Sequence, residues 1–139
     1  MSFLCQLTKQ YGPLAGRFLL ALIFVTSGFG KIAGFAGTAG YIASKGLPMP
    51  EVLTVLTIII ELGGGLMIMV GWQARWAAAA IFLFLIPVTF IFHAFWNVTD
   101  PQAQFVDRIM FMKNLAIMGG MLLVTAWGSG PLSMKNDNC

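Results

Sequence analysis

Residues 51–71 read EVLTVLTIIIELGGGLMIMVG. Glu51 opens this stretch at its boundary, and Glu61 stands alone in its apolar interior. As a helix, about 20 such residues rising about 1.5 Å each cover about 30 Å, the thickness of a bilayer's hydrocarbon core. The stretch therefore predicts a membrane span with one acid near its middle. Downstream, the short turn Gly71-Trp72-Gln73-Ala74-Arg75 leads into a second apolar run over about 76–96. So brief a connection makes the two helices antiparallel neighbours. Pro87 lies inside the second run, and proline is tolerated in membrane helices. A polar loop over about 97–108 carries Asp100-Pro101 and precedes a further span over about 109–128. The tail, 129–139, is polar.

Upstream, a polar interval over 34–50 contains a candidate surface helix from Ala36 to Lys45, stopped by Gly46, Pro48 and Pro50. Before it, residues 14–33 form another apolar span. Residues 1–13 place Phe3, Leu4, Leu7 and Tyr11 on one helical side, against Lys9 and Gln10. That pattern predicts a short helix lying in the interface, and Pro13 ends it or starts the next element. The fold class is thus all-α: an integral membrane four-helix bundle, one domain over 1–139, with a short interfacial N-terminal helix and a short helix in the first loop.

Composition agrees. Of the 139 residues, 58% are hydrophobic and 9% are charged. A soluble domain carries about 25% charged residues, so this chain has too little polar material to coat itself against water. The net charge of +3 is dispersed without a basic run, which argues against a nucleic-acid partner. Cys5 and Cys139 sit near opposite ends, no CxxC occurs, and His93 is the one histidine. No metal site is expected from that set, no bis-histidine haem, and no flavin motif is present. No cleavable signal peptide is expected, because the first apolar run is too long. Four spans put both termini on one side. Lys9, Arg75 and Lys135 lie on that side, against Lys45 and Arg108 on the other, so the positive-inside rule favours cytoplasmic termini.

Charged side chains inside a span are costly and usually face a bundle interior or a cavity. Arg17, Lys31, Glu61, His93 and Lys113 are the ionisable candidates, with Asn114 beside the last. Measured from the termini side at about 1.5 Å per residue, Arg17 lies about 5 Å in and Glu61 about 15 Å in. Lys113, His93 and Lys31 lie about 21 to 26 Å in. Arg17 and Lys31 project from one face of the first span, with Phe24 between them. Snorkelling accounts for a lone lysine or arginine near a span end, and an ion pair with Arg17 or Lys31 accounts for Glu61. Three cations against one carboxylate, however, leave a surplus that a ligand with anionic or carbonyl oxygens would complete. In that reading Arg17, Lys31, Lys113 and Asn114 bind the ligand. Glu61 and His93 are the catalytic candidates, as proton carriers. Phe24, Phe90, Phe95 and Trp96 are candidates to flank a flat ring.

The residues also resemble a known family. Gly16-Arg17 with Phe24, Ser27-Gly28 and Lys31 comes first, then Gly46-Leu47-Pro48 with Pro50, and Glu61-Leu62-Gly63-Gly64 leading to Gly71. His93-Ala94-Phe95-Trp96, Phe111, Lys113-Asn114-Leu115-Ala116 and Gly119-Gly120 complete a pattern over about 14–125. In order and spacing it resembles the DoxX family of four-span bacterial inner-membrane proteins. The resemblance implies a redox setting. Founding members are associated with a thiosulfate:quinone oxidoreductase and were earlier linked to a quinol oxidase, and other relatives with membrane-bound redox complexes. The expectation is a membrane subunit of a quinone-linked oxidoreductase system, binding ubiquinone, menaquinone or a small anion, surrounded by lipid, with a soluble or membrane oxidoreductase as partner or as a homo-oligomer. The alternatives are a non-catalytic anchor for a soluble oxidoreductase and, ranked lower, a small transporter for an anion or lipid.

Overall fold

The computed structural model describes residues 2–135, so Cys139 lies outside the described residues. Among the described residues, four helices are long and apolar enough to cross a membrane. The first is α1, Phe3–Ala33. The second span, Pro50–Val70, consists of α3 (Pro50–Ile58), a π-helical turn (Ile59–Gly63) and α4 (Gly64–Val70). The third is α5, Ala74–Phe92, followed by a 3-10 turn at Phe95–Asn97, and the fourth is α6, Pro101–Trp127. Between the first two spans lies α2, Phe35–Ser44, the short helix expected in the first loop.

Two details differ from the sequence reading. Residues 1–13 do not make a separate short helix. Ser2 caps a single 31-residue α1 that passes through Pro13. Proline at 13 removes one N–H, and the carbonyl it would have bonded lies in the first turns of the helix, where interfacial water can satisfy it. At about 1.5 Å per residue α1 is about 46 Å long, so its amphipathic start still extends beyond the hydrocarbon. The second difference is the loop drawn over 97–108. The Asp100 side chain accepts from the Ala103 N–H at 2.9 Å and Pro101 occupies the first helical position, so α6 starts there. Asp107 and Arg108 are therefore helical residues.

Within a bilayer, apolar surface gives no preference for another helix over lipid, and close van der Waals contact has to hold the bundle. A Cβ added at Gly28 on α1 would lie 2.7 Å from the Leu62 Cβ, so these backbones touch through the missing side chain. A Cβ added at Gly65 on α4 would lie 3.1 Å from both Phe24 and Val25 of α1. Ala21, Phe24, Ile68, Ala78, Ile81 and Met121 fill the resulting core. α4 then packs on α5 and α5 on α6. α6 meets α1 low in the bundle, where Leu20 sits against Gly120. Trp72, Trp76 and Trp127 are exposed at the termini end of the spans and Trp96 at the other, as membrane-interface tryptophans are.

The termini end is closed by the C-terminal tail. Met134 N–H donates to Val70 and Lys135 N–H to Gly71, both backbone carbonyls. Gly71 has φ +74°, and a Cβ there would lie 2.4 Å from the Ser133 Cβ, so only glycine lets the tail lie this close.

Candidate functional site

All four spans and α2 line one cavity of about 1020 Å³ in the half of the bundle away from the termini. Its shape follows from the packing just described: α1 and α6 converge at Leu20 and Gly120 and leave space between them above that level.

One wall carries an ion pair. Glu61 is 8% exposed, and its Oε2 accepts from Lys31 Nζ at 2.9 Å. The same ammonium donates to Ser27 Oγ at 2.6 Å. Four residues separate Ser27 from Lys31, one helical turn, so both face the acid. Glu61 itself sits inside the π-turn. A π-turn spends an extra residue on the same circuit and is found mostly as a single turn at functional sites. Here it lets Glu61 face the cavity while Gly65, further along, stays against α1.

The opposite wall is built by α5 and α6. Buried Asn114 donates its side-chain N–H to Thr89 Oγ1 at 3.1 Å, which ties the two helices together. Lys113 reaches Met110 Sδ at 3.1 Å, a weak acceptor. His93, at the C-cap of α5, lies 3.5 Å through Nδ1 from Asp107 Oδ1. Asp107 was not among the sequence candidates. The Asp100-Pro101 cap could have found it, because a helix starting at 101 carries Asp107 inward beside His93. Tyr41 of α2 also lines the cavity and packs against Phe92 as a tilted pair, 5.3 Å between ring centroids. Burial, and after it the Asp107 charge, push the Tyr41 hydroxyl's pKa up.

Of the sequence candidates, Lys31, Glu61, His93, Lys113 and Asn114 all line the cavity, and Arg17 does not. Arg17 is 3% exposed and donates to the backbone carbonyls of Ser129, Pro131 and Leu132. It shares a helix face with Lys31, but about 21 Å lower. At that level the returning tail presents carbonyls that need a donor. The aromatic set also changes. Phe24, Phe84 and Phe92 line the cavity. Phe90, Phe95 and Trp96 instead pack around Phe111, at 5.4, 5.4 and 5.8 Å, with Arg108 over the Phe95 ring at 5.2 Å. Among the described residues no three His, Cys, Asp or Glu side chains gather as a metal site would require.

Fold and cavity define a class: a four-span membrane protein with a mainly apolar recess that holds an ion pair, in one half of the bundle. The family model described as DoxX matches residues 12–94, and the chain belongs to that family. Inner membrane protein YqjF of Escherichia coli strain K12 is 39% identical over 126 residues, covering 91% of each chain. Inner membrane protein YphA of the same organism is 33% identical over 121 residues, 87% of this chain and 86% of its own. Surfeit locus protein 4 homolog of Schizosaccharomyces pombe is 29% identical over 128 residues, which is 91% of this chain and 37% of that longer protein. No solved structure matches. These likenesses and the four apolar spans set the chain among bacterial inner-membrane proteins.

Proposed function

We propose that the chain is a membrane subunit of a quinone-linked oxidoreductase system and that its cavity receives the quinone head. The observation that carries this reading is the cavity itself. Its volume is about 1020 Å³ and its walls are mainly apolar, with Glu61–Lys31 on one side and Asn114, Lys113 and His93 on the other. Ligand sites combine such an apolar slot with a few converging polar groups. Lysine and asparagine donors suit carbonyl oxygens. Glu61 and His93 can each hold a proton, and the His93–Asp107 contact gives one proton group a place at the outer end. Two electrons and two protons convert the quinone to quinol. The electrons come from a cofactor on a partner oxidoreductase and the protons pass through the cavity. With the termini in the cytoplasm, as Lys9, Arg75 and Lys135 favour, the cavity lies in the outer leaflet.

The test is quinone binding by the purified chain in detergent. Wild type should bind a ubiquinone or menaquinone analogue, and Glu61→Gln and His93→Ala should each weaken binding about tenfold. Equal binding by all three removes the assigned roles, and no binding by wild type removes the proposal. One observation favours a second reading, a non-catalytic anchor for a soluble oxidoreductase. Glu61 and Asp107 already face Lys31 and His93, as they would in a purely structural cluster. Co-purification of such an enzyme with wild type and Glu61→Gln alike would support the anchor.

A further inference from the structure

We propose that the ligand reaches the cavity sideways from the bilayer, through the gap between α1 and α6, with its oxygen-bearing head at Lys113 and its apolar tail left in the gap. This deepens the reading of the cavity as a quinone site and rests on it.

Four other approaches are occupied. Toward the outer surface α2 forms a roof, with Thr38, Tyr41 and Ile42 lining the cavity from above. Tyr41 fastens that roof to Phe92, and the His93–Asp107 contact joins the ends of α5 and α6 beneath it. Toward the termini, Ala21 and Met121 are fully buried and Leu20 meets Gly120. The α1 side facing the second span is shut by Gly28 on Leu62, and the α5–α6 seam by Asn114 on Thr89. Between α1 and α6 above Leu20, the facing residues are small or partly exposed. Gly30 lines the cavity, and a Cβ added there meets nothing within 4 Å. From α6, Lys113 and Ile117 line the same cavity.

Lys113 marks the rim of this gap. It is exposed, it lines the cavity, and it stands about 21 Å along α6 from Trp127, which leaves it about 9 Å inside the far edge of a hydrocarbon core about 30 Å thick. Lys31 and His93 each face a carboxylate, whereas among the described residues Lys113 has the Met110 thioether as its polar neighbour. An ammonium at that depth is costly unless an oxygen answers it. A carbonyl or oxyanion head delivered along the membrane supplies that oxygen. A tail left between α1 and α6 avoids any route through the polar roof. The ligand class is therefore an amphiphile with a compact oxygen-bearing head and a hydrocarbon tail.

The probe is a decyl-tailed benzoquinone carrying a diazirine on the tail, photolysed with the full chain in phosphatidylcholine nanodiscs and mapped by mass spectrometry. Labelling that unlabelled decyl-quinone competes away, on α1 near Ser27–Gly30 and on α6 near Lys113–Ile117, is expected. Competed labelling confined to α2 and the 45–49 connection overturns sideways access while leaving the cavity reading standing. No competed labelling anywhere overturns the cavity reading itself. In parallel, Lys113→Met should lower affinity about tenfold and Lys113→Arg should restore most of it. Unchanged affinity in Lys113→Met overturns the role given to Lys113. Matching thermal unfolding of both variants keeps a folding defect separate from that result.

Discussion

The two halves of this bundle use charge in opposite ways. In the half near the termini, Arg17 and Arg75 both hold backbone. Arg17 donates to carbonyls of the returning tail, and Arg75 to the Thr125 and Ala126 carbonyls at the end of α6. The end of a helix leaves carbonyls without partners and carries partial negative charge, so a cation there is structural. In the other half, Lys31, Glu61, His93, Lys113 and Asn114 surround a cavity. A charged residue in a membrane protein therefore says little by its identity. What separates scaffold from site is whether its partner is main chain or cavity.

The largest effect is expected where scaffold charge is removed. Arg17→Met takes away the donor to the Ser129, Pro131 and Leu132 carbonyls and should cost about 3 kcal/mol, read as thermal unfolding in detergent. Ligand affinity of the fraction that stays folded should hold. A specific loss of binding with no loss of stability would erase the division between the halves. Next comes Gly28→Ala, which lies on the seam. The added methyl has to displace Leu62, whose backbone lies within 3.1 Å, so α1 and the π-turn move apart. About 2 kcal/mol of stability should go, and ligand binding with it, because Glu61 shifts. Retained binding would show that the π-turn positions nothing. The smallest effect concerns Tyr41, whose raised pKa means the folded protein favours the protonated phenol. That contribution is complete below the unfolded value of about 10 and is lost as pH rises through the folded value. Tyr41→Phe should flatten the alkaline end of the stability curve and leave neutral pH unchanged.

Much of the architecture could be read directly, because an apolar run of about 20 residues has few other uses. The depth arithmetic also brought Lys31, His93 and Lys113 to one level, since helical rise is nearly constant. The same arithmetic sets Arg17 apart by depth, but not its partners, which belong to a tail whose return against Val70 and Gly71 is a property of turns. Asp107 was hidden by a loop drawn too long over a Pro-capped helix start. For Phe90, Phe95 and Trp96, nearness along the chain to His93 does not tell which side of a helix a ring takes.

The π-turn at Ile59–Gly63 has an implication for chain length. Holding one surplus residue, it offsets the angular phase of α3 from that of α4 by about 100°. Excising a single residue such as Ile59 would let the span relax into an uninterrupted α-helix of unchanged polarity. Thr54, now fully buried, would then swing round relative to Ile68. Hydropathy would register nothing, yet the two ends of the span would no longer agree on which way is inward.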